Sequence, residues 1–217
     1  MIRLVVFDLD GTLVDSREDL AAATNDVLAD LGASPLPLDA VVRMVGDGAR
    51  MLVARALAAA ECPADVDLAL HAFHTRYAQR LLDTTRPYQG IPEVLTSLAP
   101  QVALAVLTNK PLVPTERLLG AFGWSEVFSQ VIGGDSQHGR KPDPSGLQAI
   151  MHAAGVEPHE TLMVGDSRAD VDVAHAAGTH MAFASWGFGH IRGDVKFHGQ
   201  ERRLTAPGQL VDFTLYV

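Results

Sequence analysis

Two carboxylates, Asp8 and Asp10, follow the apolar run Leu4-Val5-Val6-Phe7 and stand directly before Gly11-Thr12. In a continuing strand, residues two apart share a face, and Gly11 permits a tight turn. Both carboxylates can therefore face one site at the strand's C-terminal edge. One can attack as a nucleophile while the other moves protons. An Asp-x-Asp-Gly stretch alone reads equally well as an ordinary turn, and three further segments shift the balance. Leu107-Thr108-Asn109-Lys110 ends a second apolar run with a hydroxyl and an adjacent backbone N–H, which makes Thr108 and Asn109 candidate contacts for phosphate oxygens. Arg140-Lys141-Pro142 places Lys141 on a proline-limited loop after the Gly133-Gly134 turn. Leu162-Met163-Val164 runs into Gly165-Asp166-Ser167-Arg168-Ala169-Asp170, adding two carboxylates four residues apart.

Asp8, Asp10 and Asp166 together would form a hard oxygen cluster with excess negative charge, which suits Mg²⁺ better than zinc or copper. An aspartate can attack phosphorus to give an aspartyl-phosphate that water then cleaves, dividing one difficult displacement into two easier ones. The cation, Lys141 and Thr108 would hold the transferring oxygens.

The elements that must position these groups are short apolar runs at 4–7, 102–107, 131–132, 162–164 and 180–184, alternating with helical spacing. That is the pattern of a parallel sheet covered by helices, and open α/β sheets bind ligands at their carboxyl edges near the point where strand order reverses. The interval between the first two runs is too long for one crossover, and its periodicity is helical throughout. Ser16 and Asp19 are expected to form a capping box, followed by Leu20, Thr24, Val27, Leu28 and Leu31 on one helical face ending at Gly32. Val66, Leu70, Phe73, Tyr77 and Leu81 repeat that spacing before Pro87. The expected fold is α/β: a Rossmann-like parallel-sheet core of residues 1–14 and 85–217, with a small α-helical cap domain inserted at 15–84. Hinges near 14–16 and 84–88 would let the cap close as a lid.

These residues resemble the haloacid dehalogenase superfamily. Asp8-Leu9-Asp10-Gly11-Thr12 is similar to its first motif, Thr108 to its second, Lys141 to its third, and Gly165-Asp166-Ser167-Arg168-Ala169-Asp170 to its fourth, all in order over the chain to about Gly189. The resemblance implies Asp8 as nucleophile and Asp10 as the acid/base. It implies Mg²⁺ held by Asp8, the Asp10 main-chain carbonyl and Asp166, with Asp170 behind them orienting Lys141. The second aspartate excludes the dehalogenase branch itself, which lacks it and needs no metal.

A finer resemblance is to the phosphoglycolate phosphatases. It rests on Val45-Gly46-Asp47-Gly48-Ala49-Arg50, Arg86-Pro87-Tyr88-Gln89-Gly90, Thr108-Asn109-Lys110-Pro111, Gly133-Gly134-Asp135-Ser136 and Arg140-Lys141-Pro142-Asp143-Pro144. It implies a phosphoric monoester hydrolase converting 2-phosphoglycolate to glycolate and phosphate, with Gly46, Gly48 and Arg50 as cap residues meeting the substrate carboxylate. Other sugar phosphates, nucleotides and pyrophosphate stay open as substrates, as does a sugar phosphomutase reaction. A phosphonate hydrolase needs a cap lysine for its Schiff base, and no Lys lies between Asp15 and Tyr88.

Composition narrows the class further. Seventeen Lys and Arg against twenty-six Asp and Glu give a net charge of −9, which disfavours nucleic acid and anionic membranes as partners. The expected partner is a small phosphorylated metabolite, for a monomer or homodimer. One cysteine, Cys62, excludes an internal disulfide and a cysteine metal cluster, and it is expected to be a small buried residue. Met1-Ile2-Arg3-Leu4 lacks the basic-then-apolar pattern of an export signal, and no apolar run is long enough for a membrane span, so a cytoplasmic location is expected. The nine histidines show no metal-binding spacing, and 195–217 carries no motif, leaving it to cover the core or mediate self-association.

Overall fold

In a computed structural model of the chain, which describes residues 1–189, 193, 195–199 and 201–215, β1 (Leu4–Phe7) is fully buried on both faces. A strand so placed must be covered on both sides, and alternation divides its residues between two cores. Val5 and Phe7 join one apolar cluster, with Ile91, Val94, Leu95 and Leu98 of α5 (Ile91–Leu98). Leu4 and Val6 join the other, with Leu147 and Ile150 of α7 (Ser145–Ala154) and Val171 and Ala174 of α8 (Arg168–Ala177).

β1 lies inside a six-stranded parallel sheet with β4 (Ala103–Leu107), β5 (Gln130–Ile132), β6 (Thr161–Gly165), β7 (His180–Ala184) and β8 (Arg202–Leu204), in the order β5-β4-β1-β6-β7-β8. The chain builds outward from β1 through β4 and β5, then returns to β1's other side with β6. Strand order therefore reverses at β1, and the C-terminal ends of β1, β4 and β6 open onto one crevice.

Four helices, α1 (Arg17–Asp30), α2 (Leu38–Val42), α3 (Ala49–Ala59) and α4 (Val66–Arg80), form the helical insert. The chain enters and leaves it through β2 (Val14–Asp15) and β3 (Arg86–Pro87), which pair antiparallel at the two expected hinges. Asp19 spans the same crossing. It is 2% exposed, and its two oxygens accept from the backbone N–H and hydroxyl of both Thr84 and Thr85 at 2.5 to 2.9 Å. These donors hold Asp19 below the usual carboxylate range although burial pushes the other way.

Several expectations change. Ser16 and Asp19 form no capping box, because the Ser16 hydroxyl donates to Asp10 at 2.6 Å and Asp19 is taken by the threonines. Leu31, the residue after α1, is exposed. Cys62 is only half-buried against the insert's core. The tail supplies β8 as an edge strand and α9 (Gln209–Leu215), whose Leu210 is buried in the same cluster as α5. Tyr216 and Val217 lie outside the described residues. Among the described residues no helix is long and apolar enough to cross a membrane.

Candidate active site

Asp8 is the first residue after β1, and its N–H donates to the Val164 carbonyl of β6 at 2.9 Å, which fixes the carboxylate at the centre of the crevice. Gly11 then turns the chain with φ +88°, and a Cβ at that position would meet the Asp166 carboxylate. The turn needs glycine for both reasons.

Asp166 follows β6 directly and is buried. Its Oδ2 accepts from the backbone N–H groups of Phe188 at 2.6 Å and Gly189 at 3.1 Å. Its Oδ1 accepts from the Thr12 hydroxyl at 3.2 Å. Asp170 caps α8, accepting on Oδ2 from the Ser167 N–H at 2.9 Å and hydroxyl at 2.6 Å. Its Oδ1 takes Lys141 Nζ at 2.6 Å. Lys141 arrives from the loop after β5 and also stands 2.8 Å from Asp8 Oδ1. It is thereby aimed by Asp170 at Asp8.

Carboxylate oxygens of Asp8, Asp166 and Asp170 lie within 4.8 Å of one another, all buried. Burial first, then Lys141's opposing charge and Asp170's like charge, leave the Asp8 carboxyl pushed up to about 6. Burial, Asp170 and Asp8 raise Asp166 well above the ordinary range. Burial works against charge on Lys141, but Asp170 and Asp8 outweigh it and hold the ammonium protonated. Asp8 Oδ1 is buried without a well-aligned hydrogen bond despite the nearby ammonium. An underused buried oxygen among clustered carboxylates is the donor set that a hard divalent cation fits. Both Asp170 oxygens are already engaged, so Asp8 and Asp166 are the better-placed carboxylates.

The cavity above this cluster, about 60 Å³, lies between the core and the helical insert. Asp8, Asp10, Thr108, Asn109, Gly46 and Gly48 all line it. The Asn109 amide braces the walls, donating to the carbonyls of Gly46 at 2.9 Å and Lys141 at 3.1 Å and accepting from the Lys141 N–H at 2.8 Å. Its side chain is thus committed within the protein, which leaves the backbone for any phosphate contact. The Thr108 hydroxyl, on the cavity wall, accepts from the Lys110 N–H at 3.2 Å. Arg50 is not brought to the site. It is exposed on α3 and paired with Asp67 of α4. His74, given no role from the sequence, stands on the cavity's rim.

Two further lining residues were not singled out by sequence reasoning. Lys110 Nζ contacts both Asp10 oxygens at 2.9 Å and donates to the Tyr77 hydroxyl of α4 at 2.6 Å. Burial opposes this ammonium's charge, yet Asp10 and Tyr77 hold it protonated well above the ordinary lysine range. Burial pushes Tyr77 up to about 12. The sequence signal available was Tyr77 on the apolar face of α4, where a buried hydroxyl needs a polar partner.

The chain matches the model of the haloacid dehalogenase-like hydrolases over residues 5–184. It is 44% identical over 196 residues to a phosphoglycolate phosphatase of Pseudomonas putida, covering 88% of this chain and 72% of that one. It is 42% identical to a phosphoglycolate phosphatase of Rhodospirillum rubrum, covering 87% and 81%. The crystal structure of a predicted phosphoglycolate phosphatase from Haemophilus somnus superposes with a TM-score of 0.89 at 30% identity, covering 98% of both chains.

Proposed function

This chain belongs to the haloacid dehalogenase-like hydrolase family and is a phosphoric monoester hydrolase, and on that premise we propose that it cleaves 2-phosphoglycolate to glycolate and phosphate through an aspartyl-phosphate on Asp8. The observation that carries the mechanism is the placement of Asp8 where strand order reverses, with Lys141 and Asp166 against it and Asp10 on the same cavity wall. The substrate reading is supported by the relatives' activity and by a small cavity lined by Asp8, Asp10 and Lys110 together.

In this reading an Asp8 oxygen attacks phosphorus while Asp10 gives a proton to the departing glycolate oxygen. Asp10 then takes a proton from the water that attacks the aspartyl-phosphate, releasing inorganic phosphate and restoring Asp8. Lys141 and the Thr108 hydroxyl hold the phosphoryl oxygens, with the Asn109 backbone beside them. Asp170 keeps Lys141 aimed. Mg²⁺, held by Asp8, the Asp10 carbonyl and Asp166, would supply positive charge to the transferring group. The helical residues 15–84 act as a cap over the core of residues 1–14 and 85–217, excluding bulk water when closed.

Phosphate release from 2-phosphoglycolate and from a panel of sugar phosphates, nucleotides and pyrophosphate, measured with saturating Mg²⁺, tests this. The expected result is a preference for 2-phosphoglycolate and a loss of roughly 10³-fold or more in Asp8→Asn. Full activity in that variant sinks the mechanism, and preference for another ester sinks the substrate.

A further inference from the structure

Lys110 pairs with Asp10 and does not contact Asp8, and it is a buried cation in the substrate cavity, its side chain 4% exposed. Lys141, the neighbouring buried ammonium, is committed to Asp8 and Asp170 on the phosphoryl side. Among the described residues, the basic side chains lining the cavity are Lys110 and His74, and His74 sits exposed at the rim. Arg50 and Arg55 of the insert are turned to Asp67 and Asp47. A second anionic group on the substrate would therefore meet one deeply placed charge.

The position of that charge is informative. Lys110 Nζ is 2.9 Å from both oxygens of Asp10, the group assigned to the leaving-group oxygen. Whatever Lys110 touches must lie close to that oxygen. In 2-phosphoglycolate one methylene separates the ester oxygen from the carboxylate carbon, a link short enough for adjacent groups to read both ends. An ammonium carries three N–H donors, and here they meet the two Asp10 oxygens and the Tyr77 hydroxyl, so an incoming anion would take over one of the two bonds to Asp10 while Tyr77 holds the third. Apolar Leu20, Leu52 and Phe73 on the same cavity lining lower the local dielectric, which strengthens such a contact.

We propose that Lys110, held in place by Tyr77 of the cap, is the receptor for the substrate's own carboxylate. It would make the site selective for compact phosphate monoesters with a second anionic group beside the ester carbon. The proposal rests on the phosphoglycolate reading above and names the residue that would produce it.

The test compares kcat/KM for 2-phosphoglycolate with that for 2-hydroxyethyl phosphate, which replaces the carboxylate with an uncharged group of similar size. Wild type is expected to prefer 2-phosphoglycolate. In Lys110→Met both values fall, but the ratio between them drops at least tenfold; Lys110→Arg restores part of it. Tyr77→Phe, which keeps the lysine, lowers the ratio in the same direction and serves if Lys110→Met does not fold. An unchanged ratio in these variants overturns the proposal, because a purely structural role would depress both substrates alike. Equal wild-type use of the two esters overturns it while leaving the phosphatase reading intact. Hydrolysis of neither ester by wild type with Mg²⁺ overturns both.

Discussion

Asp19→Ala should be among the more destabilising substitutions outside the catalytic cluster, and the structure shows where the cost falls. The carboxylate receives four donors, two from Thr84 and two from Thr85. Thr84 is exposed, so water can take over its N–H and hydroxyl. Thr85 is 0% exposed, and both of its donors would be stranded. Each stranded buried donor costs about 1–3 kcal/mol, so alanine should cost about 3–4 kcal/mol. Asn can keep its oxygen toward Thr85 and turn its NH₂ to the wet side, which limits the loss to about 1–2 kcal/mol.

The pH dependence has a defined sign. Asp19 is more acidic in the folded chain than when unfolded. Its stabilisation is present above the unfolded value of about 3.9 and is lost as pH falls through the lower folded value. The gap between wild type and Asp19→Asn should thus narrow between about pH 5 and pH 3. Urea unfolding followed by circular dichroism, with m-values compared to confirm one cooperative unit, measures all three proteins. A cost below about 1 kcal/mol for alanine, or an asparagine as costly as alanine, refutes the reasoning.

Two other predictions concern the acidic cluster. Asp170→Asn removes the charge that aims Lys141 while retaining an acceptor for Ser167, and kcat should fall about 10- to 100-fold with a smaller change in KM; steady-state kinetics with an unchanged kcat would contradict that role. Asp8 and Asp166 carry raised pKa values in the folded chain, so the folded state binds more protons than the unfolded one. Stability of the chelator-treated protein should therefore fall as pH rises from about 4 toward 7, and added Mg²⁺ should restore it most at the upper end. Thermal melts across that range check this, and a metal-free protein that gains stability over the same interval counts against the acidic site.

Much of the site was legible because its groups sit at strand ends. An apolar run locates a strand, and the polar residue that stops it lands on the sheet edge, which is why the sequence alone brings Asp8, Thr108 and Asp166 together. Lys141 was readable as a loop cation, and Asp170 doubled as a helix cap, so local chemistry and tertiary role coincided. Lys110 was not readable in this way. A lysine after Thr-Asn looks solvated, and its burial depends on Tyr77 arriving from α4, 33 residues earlier. Ser16 and Asp19 matched a capping box locally but were outbid by partners that only folding supplies, Asp10 and the threonines. Arg50 failed for the converse reason: its loop reaches the cavity through Gly46 and Gly48, while helical direction carries its side chain outward. β8 was not legible because Arg202-Arg203-Leu204 is short and polar, an edge strand in which Leu204 alone is buried.

The most direct test of the central claim is a single-turnover experiment with radiolabelled 2-phosphoglycolate and Mg²⁺, acid-quenched over time and followed by peptide mapping. Label is expected to rise and decay on the peptide containing Asp8, at a rate able to support turnover, and to be absent in Asp8→Asn. Phosphate released at the full rate with no protein-bound label at any quench time, or label on a different residue, would contradict it.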